Sequence, residues 1–90
     1  MIYSPEADIL ARIERCQGFE WDAGNTDKNW RKHGVTREEC EQVFEFGRMF
    51  VQPDAEHSHS EERFRAFGSS AAGRLLLLVF TLRNNRVRVI

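Results

Sequence analysis

Residues 63–90, "RFRAFGSSAAGRLLLLVFTLRNNRVRVI", hold six arginines and no acid, and turn sequences divide them into three pieces of strand length. In "ERFRAFGSS", Phe64, Ala66 and Gly68 alternate with Arg63, Arg65 and Phe67, the period-two pattern of a strand whose two faces differ. "SSAAG" reads as a turn. "RLLLLVFTL" is the most apolar stretch of the chain, and its uninterrupted run predicts a central strand covered on both faces. The Asn84-Asn85 pair in "RNNR" supplies a tight hairpin, and "RVRVI" alternates again, with Arg86 and Arg88 on one face. A tail of this kind commits the chain to an antiparallel sheet.

The first half must then cover that sheet. Ser4 and Pro5 are a cap and a first helical residue, Ile9, Leu10 and Ile13 recur at helical spacing, and Gly18 is a stop, so a helix is expected over about 5–16. "FEWD" alternates apolar and acidic residues and reads as a short strand over 19–22. In "AGNTDKNWRKHG", cap-friendly Asn25 and Thr26 precede a helix of about two turns closed by Gly34. Thr36 and Glu39 form a T-x-x-E capping box, with Val35 and Cys40 as its hydrophobic staple, opening a helix over about 37–46 that Gly47 ends. "RMFVQPD" is a short strand stopped by Pro53, and "DAEHSHSE" a polar loop. The order predicts an α+β fold: a mainly antiparallel sheet preceded by helices.

Ninety residues suffice for one domain with one core. The longest apolar run, residues 75–80, is far short of the roughly 18 residues of a membrane span, and "MIYSPEADIL" lacks the pattern of a signal peptide, so the chain reads as cytoplasmic with no membrane partner. Cys16 and Cys40 lack a redox or zinc spacing and read as reduced, partly buried thiols. The net charge of -1 conceals two opposed halves: 7 Lys/Arg against 14 Asp/Glu in residues 1–62 (-7), and 6 Arg with no acid in residues 63–90 (+6). Such a split is either a basic surface for a polyanion beside an acidic remainder, or two halves that neutralise each other across the fold.

Candidate chemistry gathers in two places. Lys32 and His33 sit before Gly34, where a cation also favours the helix dipole. The strands add Arg63, Arg65, Arg74, Arg83, Arg86 and Arg88, and arginine suits bidentate phosphate binding. A basic sheet face with a histidine at its rim is a plausible nucleic-acid site. His57 and His59 of "HSH" lack further ligands at metal spacing and read as part of a solvated loop, so neither metal nor cofactor is expected.

The pattern "FEWD…N…KHGVTREECEQVF…EERFRAFG…GRLLLLVFTLRNNRVRVI" resembles the BrnT family of bacterial type II toxins over residues 19–90. The resemblance implies a compact RelE-like fold and a metal-independent endoribonuclease that blocks translation by cutting RNA. It implies a cognate antitoxin with a ribbon-helix-helix DNA-binding part, through which alone operator DNA would be bound. It also implies functional weight for Lys32 and His33 of "KHG", Arg63 of "ERF", Arg83 of "TLR" and Arg88 of "RVI". His33 would be the general acid/base. Lys32, Arg63 and Arg83 would hold the scissile phosphate, and Arg65, Arg86 and Arg88 would bind RNA or organise the site. Residues 1–18 stand as an added N-terminal helical segment before a toxin domain over 19–90, and the family's usual "SAR"-like step and basic helix do not follow Ile90. Two rivals remain: a truncated, non-catalytic module that only pairs with an antitoxin or regulates its operon, and an unrelated RNA-binding domain, which would need exposed aromatics on the sheet.

Overall fold

The computed structural model describes residues 4–46 and 48–90, and for residues 29–33 the helical backbone alone. Helices α1 (Pro5–Glu14), α2 (Ala23–His33) and α3 (Arg37–Glu45) precede strands β1 (Phe50–Pro53), β2 (Phe64–Ser69), β3 (Leu75–Arg83) and β4 (Arg86–Val89), with one 3-10 turn, Ala55–His57, between β1 and β2. The strands form one antiparallel meander in the order β1-β2-β3-β4. The expected α+β class with a mainly antiparallel sheet is what the chain adopts.

Local chemistry accounts for the helix starts. Ser4 accepts the Ala7 N–H at 3.3 Å and Pro5 opens α1, where a missing N–H costs nothing. The Thr36–Glu39 capping box is reciprocal, at 3.2 Å and 3.4 Å, and its staple residues Val35 and Cys40 are both buried in one cluster. Gly47, expected to end α3, lies outside the described residues. At the β3–β4 hairpin, Asn84 and Asn85 adopt φ of 53° and 59°, the left-handed pair that a two-residue turn of matching twist demands.

Three expectations are corrected. Residues 19–22 form no strand: a single parallel bridge, Phe19 to Val87, fastens this segment along the outer edge of β4, with Gln17, Gly18 and Glu20 bonded to Asn85 and Val87. Helix α2 begins at Ala23, earlier than expected, because Asp22 and Asn25 cap each other: Asp22 Oδ1 accepts the Asn25 N–H at 3.2 Å and Asn25 Oδ1 accepts the Asp22 N–H at 2.8 Å. Buried Asn25 also donates to the carbonyls of Glu20 (3.1 Å) and Val89 (2.9 Å), tying α2 to β4.

The third correction concerns β3, which is central but whose outward face is open over its first part, at Leu75 and Leu77. Its inward residues Leu76, Leu78 and Phe80 join Val51, Phe64, Ala66, Val87 and Val89, and Ile9 of α1 with Cys40 and Val43 of α3 pack on that side. Phe80 is fully buried, edge-on to Phe44 at 5.1 Å and tilted against Phe64 at 5.4 Å. On the other face Leu75 (66% exposed) and Leu77 (62%) stand open beside Phe50 (70%) and Phe67 (43%). An apolar run reports burial on average; α1 and α3 both lie on one side, so alternate leucines have no partner layer. Among the described residues no helix is long and apolar enough to cross a membrane.

Candidate functional site

The open face has two ends of different chemistry. Phe50, Phe67, Leu75 and Leu77 form its apolar end, since Phe50 pairs with Phe67, Phe67 with Leu77, and Ser69 with Leu75. The far end is formed where β1 and β3 finish and β2 and β4 begin, and the arginines gather there. Arg83 donates to Glu61 at 3.0 Å and to Glu20 at 3.3 Å. Arg88, paired across from Thr81, donates to the same Glu20 Oε1 at 3.0 Å and to Asp22 at 3.0 Å. Arg63 lies 4.0 Å from Glu61, just before β2. Glu61 and Glu20 therefore link Arg63, Arg83 and Arg88 into one cluster.

These contacts bear on the charge asymmetry. Arg63, Arg74, Arg83 and Arg88 each meet a carboxylate that comes from residues 1–62, so the opposed halves do neutralise each other locally. The Arg88 bonds, followed by the Asn25 contact, hold the Asp22 carboxyl below its usual range, and the Glu61 bond strengthens the hold of Arg83 on its proton. Carboxylates paired with guanidinium groups at partly exposed positions are exchangeable, because each such pair is worth only about 0.2–1 kcal/mol. A phosphate arriving in bidentate geometry can replace them.

The remaining expected residues are distributed as follows. Arg65 lies in β2 on the open face, half-buried, with its Nε buried and lacking a hydrogen-bond partner, in a groove shared with Pro5, Phe50, Gln52, Phe67 and Leu77. Arg86 is exposed at the start of β4, on the same face as Arg88. Lys32 and His33 close α2, and their side chains lie outside the described residues. Gly34, which follows them, has φ of 61°, the left-handed conformation of a residue just past a helix, and its carbonyl accepts Arg74 Nη1 at 3.0 Å. Arg74 precedes β3 whereas Arg83 ends it, roughly 25–30 Å apart at about 3.3 Å per residue. The structure thus brings Arg63, Arg83 and Arg88 together and anchors the residue after His33 at the opposite end of the strand.

Sequence reasoning missed one feature at each end of the sheet. Phe50 is a second exposed aromatic beside Phe67, hidden because a four-residue edge strand shows too little periodicity to assign its faces. His57, read as part of a solvated loop, has its Nδ1 3.0 Å and 3.1 Å from the two carboxylate oxygens of buried Asp54. The local signal was the three-residue spacing of aspartate and histidine directly after Pro53, at a strand end.

Comparison with known proteins matches residues 21–90 to a family model described as the ribonuclease toxin, BrnT, of a type II toxin-antitoxin system. No curated protein matches the chain. A family of that description implies an RNA target and an antitoxin partner. With the match spanning α2 to the end of β4 and the α+β meander in place, the chain belongs to the BrnT family of ribonuclease toxins.

Proposed function

We propose that the chain is a metal-independent endoribonuclease that inhibits translation by cutting RNA, and that a cognate antitoxin with a ribbon-helix-helix part neutralises it. The observation that carries this reading is the gathering of Arg63, Arg83 and Arg88 at one end of an open sheet face, joined through Glu61 and Glu20. In this proposal a backbone phosphate displaces the carboxylates, and the ribose 2′-hydroxyl beside it attacks the phosphorus. The guanidinium groups stabilise the charge that grows on the phosphoryl oxygens, a contribution on the order of 10²–10³ in rate per well-placed donor. Arg65 and Arg86, on the same face, extend the track for the RNA backbone.

A second reading, a non-catalytic module that only pairs with an antitoxin, is favoured by one observation: the arginines already hold carboxylates. Induced expression in a bacterium lacking the antitoxin separates the two. Growth arrest with loss of bulk RNA integrity, relieved by Arg83→Ala, is the expected result. Soluble, folded protein that leaves growth and RNA untouched would support the second reading instead.

A further inference from the structure

Cleavage by a 2′-hydroxyl needs a group that removes its proton, and the carboxylates of the arginine cluster that could do so are each held by a guanidinium group. The loop beside the cluster contains another such group. Asp54 follows β1 directly across from Arg63: its N–H donates to the Arg63 carbonyl at 2.8 Å, and Ser58 Oγ accepts the Arg63 N–H at 2.9 Å while donating to the Asp54 carbonyl at 2.8 Å. These bonds fix the 3-10 turn Ala55–His57 against the residue that leads into β2. The Asp54 side chain is 5% exposed and that of His57 is 57% exposed.

That contrast is informative. Withdrawing a carboxylate from water is costly unless a charged or hydrogen-bonding group answers it, and here the answering group is an imidazole that itself faces solvent. A carboxylate only accepts, so Nδ1 carries the proton of this bond and Nε2 is left as the basic ring nitrogen. His59, two residues on, is exposed and outside this arrangement. Arg63, whose backbone is bonded to Asp54 and Ser58, leads through Glu61 to Arg83 at the same end of the sheet.

We propose that His57 is the catalytic proton carrier of this ribonuclease site, with Asp54 as its positioning residue. The inference rests on the ribonuclease reading and adds to it the group that moves the proton. Nε2 of His57 takes the proton of the ribose 2′-hydroxyl as the O2′–P bond forms and the P–O5′ bond breaks. The leaving 5′ oxygen takes a proton from water, and the imidazolium returns its own to the hydroxide so formed. The products are a 2′,3′-cyclic phosphate and a 5′-hydroxyl, with no net uptake of protons.

The test is the rate of cleavage of a single-stranded RNA by the purified chain, by His57→Ala and His57→Gln, and by Asp54→Asn, with thermal unfolding of each. Proton transfer by a positioned side chain contributes about 10²–10⁴ in rate, so both His57 variants should lose a hundredfold or more, and His57→Gln, which keeps a donor for the buried Asp54 carboxylate, should melt closer to the wild type than His57→Ala. Asp54→Asn, whose amide favours the wrong imidazole tautomer, should lower kcat at least tenfold with KM within about twofold, a split that loss of packing would not produce. A loss below tenfold in both folded His57 variants, with the wild type active, overturns the inference and leaves the ribonuclease reading standing. A wild type that cuts no RNA overturns both.

Discussion

Glu20 is where the account can be pushed hardest. Its Oε1 accepts from Arg88 at 3.0 Å and from Arg83 at 3.3 Å, and the three side chains are 25%, 17% and 44% exposed. Partly exposed pairs contribute about 0.2–1 kcal/mol each, and glutamine keeps a neutral acceptor at the same place, so Glu20→Gln should cost only about 1 kcal/mol. For a domain of this size that lowers the melting temperature by roughly 4–8 °C. The same change takes the Arg63, Arg83, Arg88, Glu20, Asp22 and Glu61 cluster from a formal charge of zero to +1. If the released cation takes one more phosphate, the slope of log K against log salt steepens by about 0.7 for a single strand, and affinity at 0.15 M salt rises roughly threefold to fivefold. Fluorescence anisotropy with an RNA methylated at every 2′-oxygen, which cannot be cut, measures binding alone. A variant that is slightly less stable yet binds more tightly is the expected result; unchanged or weaker binding with an unchanged salt slope would refute the placement of RNA on these arginines.

Further outcomes follow from the packing and the titrating groups. A Cβ at Gly68 would stand 3.0 Å from Val43 Cγ1 and 3.1 Å from Met49 Cβ, so Gly68→Ala overpacks the contact of β2 with α3 and should destabilise by about 1–3 kcal/mol in urea unfolding. Arg88 depresses the Asp22 carboxyl in the folded chain, so its contribution is present above the unfolded carboxyl value near 3.9 and is lost as pH falls through the lower folded value. The stability gap between wild type and Asp22→Asn should therefore close on acidification below about pH 4, as urea midpoints taken from pH 6 to 2.5 would show. Burial, with smaller contributions from Glu39 and Glu41, pushes the Cys40 thiol up to about 11, so under native conditions an alkylating reagent at pH 8 should label Cys16 well before Cys40.

Features set by neighbours in sequence were legible from the sequence. The Ser4–Pro5 helix start, the Thr36–Glu39 box and the Asn84-Asn85 hairpin each rest on chemistry within four residues, and each appears where expected. Features set by distant pairing were not. The apolar run of β3 says that leucines are present but not that α1 and α3 share one side, and so Leu75 and Leu77 were expected to be covered. Asp22 and Arg88 stand 66 positions apart, and nothing near either one foretells that they bond. Asn25 has the composition of a cap and does act on a helix start, but from the third helical position and with its amide reaching β4. The Asp54–His57 pair depends on burial that arises only when β1 pairs with β2, which is why the loop read as merely solvated.

The central claim is that an arginine-lined end of this sheet cuts RNA without a metal. Its most direct test is to incubate the purified chain with a defined single-stranded RNA in excess chelator and to map the new ends. The account predicts fragments ending in a 2′,3′-cyclic phosphate and beginning with a 5′-hydroxyl, formed at a rate that Arg83→Ala lowers by on the order of 10² or more. RNA left intact by folded protein, or cleavage that the chelator abolishes, would contradict it.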